Sequence, residues 1–144
     1  MTKKKIIGYT TGVFDLFHIG HLNIIKKAKT KCDYLIVAIS SDELCFKLKK
    51  KKPVIPFEER KEIKKSIKFV DRVVIEKKND KLEALKRYKF DIIFKGNDHK
   101  NSKNWLIWHD EFKKKKIKVV FFNYTKNTSS TLIKNVCKKI VRKN

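Results

Sequence analysis

The chain has 144 residues, 38 Lys and Arg against 15 Asp and Glu, a formal net charge of +23, and 41% hydrophobic residues. This length fits one compact domain and is short for two, so residues 1–144 are read as a single domain. Apolar runs in every third of the chain exclude a disordered basic tail, and nothing approaches the ~20 apolar residues of a membrane span or the apolar stretch of a signal peptide.

The run Ile6 to Thr10 is short, β-branched and aromatic, and predicts a buried strand. Leu22, Ile24, Ile25 and Ala28 then recur at helical spacing. Tyr34 to Ile39 predicts a second strand and Ser40 to Pro56 a loop. Ile63 and Ile67 mark a helix, Val73 to Glu76 a strand, and Leu82, Leu85 and Tyr88 another helix. Asp91 to Phe94 and Val119 to Phe122 complete five strands, with a loop from Gly96 to Trp105. A last helix starts near Ser129 or Ser130, both good N-caps, and is expected to turn Leu132, Ile133, Val136 and Ile140 inward. The alternation implies an α/β fold: a single Rossmann-like domain with a five-stranded parallel sheet and helices on both faces.

In such folds the ligand crevice lies at the C-terminal ends of the strands. The first loop there reads Gly12-Val13-Phe14-Asp15-Leu16-Phe17-His18-Ile19-Gly20-His21. It sets two imidazoles three residues apart on one helix face, in the first turn, where free backbone N–H groups and the helix dipole attract phosphate. Two such donors suit oxygens whose charge is redistributed during phosphoryl transfer. A Walker A loop and G-x-G-x-x-G are both absent, which excludes the common nucleotide-binding schemes. No third Cys or His has helpful spacing for a metal, and Cys32, Cys45 and Cys137 form neither a disulfide framework nor a zinc motif. A reduced, cytoplasmic compartment is expected. Only Arg60, Arg72, Arg87 and Arg142 are arginines, while base readout and phosphate forks favour arginine. The charge therefore reads mostly as a diffuse lysine surface, and nucleic acid as a minor alternative partner.

Gly12 to His21 resembles the G-x-F-D-x-x-H-x-G-H signature of the cytidylyltransferase family. Cys32 to Glu43, Phe57 to Arg60, Phe69-Val70-Asp71, Gly96-Asn97-Asp98 and Ser129-Ser130-Thr131 are similar to further family segments in the family's order, over about Ile6 to Ile140. The likeness is greatest to the compact bacterial glycerol-3-phosphate type. The resemblance implies direct displacement at the α-phosphorus of CTP by the phosphate of a small alcohol phosphate. Glycerol 3-phosphate is the lead acceptor, Mg²⁺ accompanies the nucleotide, and the products are a CDP-alcohol and pyrophosphate. An acceptor phosphate is already an anion at neutral pH, so no general base is needed.

The resemblance gives His18, His21 and Lys49 catalytic roles. It assigns nucleotide binding to Thr11, Gly12, Val13, Phe14, Asp15, Gly20, Asp42, Gly96, Asp98, Thr125, Ser129, Ser130 and Thr131. Asp15 either orders its loop or helps hold the metal, and no residue is assigned as a direct metal ligand. Helix capping equally explains Ser129 to Thr131. Lys51, Lys68, His99 and Tyr124 are assigned to the acceptor; of these, Lys68 and Tyr124 replace family arginines and His99 a tryptophan, which leaves the acceptor and the base open. Trp105 and Trp108 are either core or acceptor-pocket residues. A homodimer through the Phe69-Val70-Asp71 region is expected from the same likeness. The alternatives are an adenylyltransferase of the same fold using ATP, and a non-catalytic basic module that binds nucleic acid.

Overall fold

A computed structural model describes residues 3–97, 100–123 and 128–143. The chain runs β1 (Ile7–Gly12), α1 (Ile19–Lys29), β2 (Tyr34–Ser40), α2 (Asp42–Lys49), α3 (Phe57–Lys65), β3 (Arg72–Glu76), α4 (Lys81–Tyr88), β4 (Ile92–Gly96), α5 (Lys103–Lys114), β5 (Lys118–Phe122) and α6 (Ser130–Lys143). The five strands form one sheet in the order β3-β2-β1-β4-β5, parallel throughout. Strand order reverses at β1, so the crevice predicted from the topology opens at the C-terminal ends of β1 and its neighbours.

Alternate residues of the central strands feed two cores, one on each face of the sheet. Ile25 and Ala28 of α1 pack with Leu35, Val37, Ile39, Phe94 and Phe122 on one face. On the other, Trp105, Trp108 and Phe112 of α5 pack with Tyr9, Ile36, Phe90 and Ile93. Both tryptophans are therefore core residues. Gly8 is the point of closest approach in β1: a Cβ there would lie 2.6 Å from Cys32 Sγ and 2.8 Å from a Phe94 ring carbon.

Three expectations are corrected. The segment read as a loop from Ser40 holds α2, started by the Ser41 hydroxyl, which accepts from Leu44 N–H at 3.0 Å. The long segment after Gly96 holds α5, capped in the same way by Ser102. The last helix starts where expected, with Ser129 Oγ accepting from Leu132 N–H at 3.0 Å, yet it buries no residue. Leu132, Val136 and Ile140 are 47%, 47% and 56% exposed, and Ile133 is half-buried. The reason is which face of α6 meets the domain. Thr131, Lys134, Asn135 and Lys138, themselves at helical spacing, border the crevice, and this turns the apolar stripe toward solvent.

Candidate active site

The loop between β1 and α1 is tightly wound. Phe14 and Leu16 both take left-handed backbone conformations, with φ of 54° and 49°, which cost a residue with a Cβ about 1–2 kcal/mol each. Asp15 between them holds the loop. Its buried carboxylate accepts from Leu16 N–H at 3.1 Å, Val54 N–H at 2.8 Å and Ile55 N–H at 3.0 Å, and pairs with Lys134 Nζ at 2.9 Å. Its backbone carbonyl accepts from Ser130 Oγ at 2.5 Å. One residue thus ties together the first loop, the segment after α2 and the start of α6. The donors around the carboxylate hold it below the usual carboxylate range despite burial, which pushes the other way. This is the loop-ordering role, and it uses the lone pairs that a metal would need.

His18 is the N-cap of α1 and does not lie on the helix face with His21. Its Nδ1 accepts from Gly20 N–H at 3.0 Å, while Nδ1 of His21, the third helical residue, accepts from His18 N–H at 3.4 Å. The two form a reciprocal capping box made of imidazoles, with ring centroids 3.8 Å apart. Because each Nδ1 is an acceptor, each neutral ring carries its proton on Nε2. Burial, then His18 and Lys64, push His21 down to about 3, and burial lowers His18 as well. Both rings are uncharged at neutral pH. They offer two N–H donors beside a helix N-terminus, an arrangement suited to the oxygens of a phosphoryl group.

A cleft of about 260 Å³ opens beside this loop. Val13, Asp15, Lys49, Lys51, Lys52, Thr131, Lys134 and Lys138 line it. Five lysines against one carboxylate, already paired, make it strongly attractive to a polyanion. Lys134 and Lys138 were not singled out in the sequence; their spacing of four, one turn after the Ser129 cap, was the available signal. The imidazoles stand at the far end of the loop and do not line this cleft.

The remaining site residues divide by position. Thr11 is buried with its hydroxyl on Glu76, 2.5 Å away, and Glu76 also pairs with Lys81 at 2.9 Å. Gly12 faces the Phe14 ring, 3.2 Å from where a Cβ would stand. Phe14 is a core residue. Gly20 is buried in the first turn of α1. Gly96 ends β4, opposite Phe122. Asp42 is held by the fully buried Arg60, whose Nη2 lies 2.6 Å from its carboxylate. Arg60 also donates to the carbonyls of Val13, Ser40 and Ile55 at 2.7–2.9 Å, so it is a second knot under the loops. Lys68 is not brought to the cleft: it precedes β3, away from the C-terminal strand ends where the cleft opens, with its ammonium over Phe69. Asp98, His99, Tyr124 and Thr125 lie outside the described residues.

A family model described as cytidylyltransferase-like matches residues 9–136. The chain belongs to the cytidylyltransferase-like family. It is 35% identical over 134 residues, 91% of this chain and 92% of the relative, to a glycerol-3-phosphate cytidylyltransferase of Staphylococcus aureus. It is also 43% identical over 96 residues, 66% of this chain and 65% of the relative, to an FAD synthase of Pyrococcus horikoshii. Among solved structures, it resembles a lipopolysaccharide core biosynthesis protein from Thermoplasma volcanium, with a TM-score of 0.71 at 27% identity over 87% of this chain and 100% of that one. A pantoate-beta-alanine ligase from Francisella tularensis shares the fold, with a TM-score of 0.59 at 17% identity over 100% of this chain and 74% of that one. This cytidylyltransferase-like chain is a nucleotidyltransferase enzyme with a Rossmann-like domain. No helix among the described residues is long and apolar enough to cross a membrane.

Proposed function

We propose that the chain transfers CMP from CTP to the phosphate of a small alcohol phosphate, with glycerol 3-phosphate the lead acceptor, releasing pyrophosphate. The observation that carries this is the imidazole capping box, two uncharged Nε2–H donors at the N-terminus of α1. The likeness to the glycerol-3-phosphate enzyme over nearly the whole of both chains supports the acceptor.

In this reading the acceptor phosphate attacks the α-phosphorus in line and the P–O bond to pyrophosphate breaks. The work of the protein is alignment and charge neutralisation. His18 and His21 donate to the α-phosphoryl oxygens as negative charge shifts toward the leaving group. Lys49, at the end of α2, and Lys51 screen the repulsion between the two polyanions, and Lys134 and Lys138 add to the same field. Thr131 and the first turn of α6 offer a second anion-binding end. Among the described residues no group of three or more His, Cys, Asp or Glu side chains has the arrangement to hold a metal, and Asp15 and Asp42 are engaged by other donors. In this reading Mg²⁺ enters with the nucleotide, as part of the substrate.

A second reading has one specific support. FAD joins an adenylyl group to a flavin phosphate, so the relative named FAD synthase favours ATP as the donor and a bulkier phosphate as acceptor. Pyrophosphate release from CTP and from ATP, each with Mg²⁺, across a panel including glycerol 3-phosphate, phosphocholine and flavin mononucleotide, separates the two. Turnover with CTP and glycerol 3-phosphate alone supports the first; turnover only with ATP refutes it. The proposal includes a homodimer in a reducing compartment, and light scattering after gel filtration tests the dimer.

A further inference from the structure

Lys64 lies on α3 among other lysines, but its side chain is fully buried. Its Nζ is the one buried side-chain polar atom among the described residues with no hydrogen-bond partner. It faces the Phe17 ring at 4.1 Å and the Phe14 ring at 5.2 Å from their centroids. Those two rings pack in turn on His21, at 5.6 and 5.4 Å between centroids. The ammonium is thus one aromatic layer behind the imidazole pair.

Among the described residues no hydrogen-bond acceptor meets this charge. Aromatic faces recover part of the lost hydration, but an unpaired buried ammonium is disfavoured, and an apolar side chain of the same length would fit the aromatic pocket better. The charged neighbour acting on Lys64 is Arg60, one turn earlier on α3, and it repels. The groups that act on His21 are His18 beside it on α1, Lys64 from α3 and Asp15 from the first loop, the last already paired with Lys134. A buried cation with no hydrogen-bond partner among the described residues favours an anion bound nearby, and the imidazole donors at the head of α1 lie on the other side of the aromatic layer.

We propose that Lys64 is a positioning residue: a buried cation that acts through the Phe14–Phe17–His21 layer to strengthen phosphate binding at the N-terminus of α1. The inference rests on the phosphate site of the proposed function but not on the identity of base or acceptor.

Burial and Arg60 bring the Lys64 ammonium down to about 8. A bound polyanion favours the charged form, so affinity is high below about 8 and falls as pH rises through it. Between pH 7 and 9.5 the imidazoles stay neutral, and the last ionisation of a nucleoside triphosphate, lowered further by its Mg²⁺, is complete. The test is calorimetric titration of CTP, and separately of ATP, each with Mg²⁺, over pH 7–9.5 for wild type, Lys64→Met and Lys64→Arg. Wild type should weaken about tenfold across this range. Lys64→Met should be weakened to the same degree at pH 7 and be flat with pH, while melting at a higher temperature than wild type; Lys64→Arg should bind tightly and be flat.

A Lys64→Met protein that binds the nucleotides like wild type at pH 7, or a wild-type curve that is flat, overturns the inference, as does absence of binding to both nucleotides. If Lys64→Arg does not fold, the wild-type and Lys64→Met curves decide alone. Normal turnover with an unmoved Lys64→Met affinity sinks this inference only. The full Lys64 pattern without turnover from any nucleotide and acceptor pair sinks the CMP-transfer reading only.

Discussion

Replacing Asp15 by asparagine keeps the shape of the side chain and removes the charge, which makes it the sharpest probe of how the site is held together. The carboxylate has four donors within 3.1 Å and is 3% exposed. In Asp15→Asn one oxygen becomes an NH₂ group that meets Val54 N–H and the Lys134 ammonium, donor against donor. Two charge-assisted bonds are lost and a buried backbone N–H is left unpaired, a cost of about 2–4 kcal/mol. Lys134 is 38% exposed, so the ion pair supplies only about 1 kcal/mol of this after solvent screening. Most of the cost belongs to the backbone donor of Val54.

Urea unfolding of wild type, Asp15→Asn, Lys134→Met and the double variant separates the two shares. Asp15→Asn should still cost about 2 kcal/mol or more in the Lys134→Met background. A cost below about 0.5 kcal/mol in either background would refute the reading of Asp15 as the knot of the site. The carboxylate is held below its unfolded value, so its stabilisation is complete above about pH 4 and is lost as pH falls through the depressed value; the wild-type acid limb should therefore be steeper than that of Asp15→Asn.

His18→Ala should lose at least ~100-fold in kcat together with about 1 kcal/mol of stability from the lost cap, whereas His18→Asn should retain the stability and lose the same rate; an Asn variant with near-normal kcat would reduce His18 to a cap. His21 is lowered from 6.5 to about 3. The unfolded chain then binds a proton that the folded chain refuses, so stability should decline as pH drops from about 6.5 toward about 3. His21→Asn should flatten that part of the stability curve, and an unchanged slope would contradict the buried neutral ring. Val136→Ala and Ile140→Ala should each cost less than about 0.5 kcal/mol in the single chain, because neither side chain is buried; unfolding curves shifted by more than about 1.5 kcal/mol would show that α6 packs its apolar stripe.

The five strands were legible because β-branched and aromatic runs buried on both faces have few other uses. The two histidines were legible from their spacing at a strand-to-helix turn. Helix α2 was missed because its last turn runs into the lysines of residues 47–52, whose solvated character masks periodicity. Helix α5 was missed although Trp105, Trp108 and Phe112 recur at helical spacing. The orientation of α6 was misread for a different reason: hydrophobic periodicity tells which face is apolar, and only tertiary contacts, here Asp15 with Ser130 and Lys134, tell which face meets the domain. Lys64 was invisible in a run of charged residues, since its burial is created by Phe14 and Phe17, nearly fifty residues earlier in the chain. Asp15 was expected either to order its loop or to help hold the metal, and Arg60 was quoted as part of a family segment; that each binds several separate loop carbonyls or amides is information about three dimensions.

The imidazole capping box has a consequence for altering this protein. The same two side chains that present donors to a phosphoryl group also start the helix that carries them; the His21 ring is aimed by the His18 backbone and the His18 ring by that of Gly20. Shifting either by a residue breaks the cap and displaces both reagents at once. Variation aimed at new acceptors is therefore best confined to Lys49–Lys52 and the cleft-facing turns of α6, where side chains alone shape the pocket, while residues 12–21 behave as a single indivisible part.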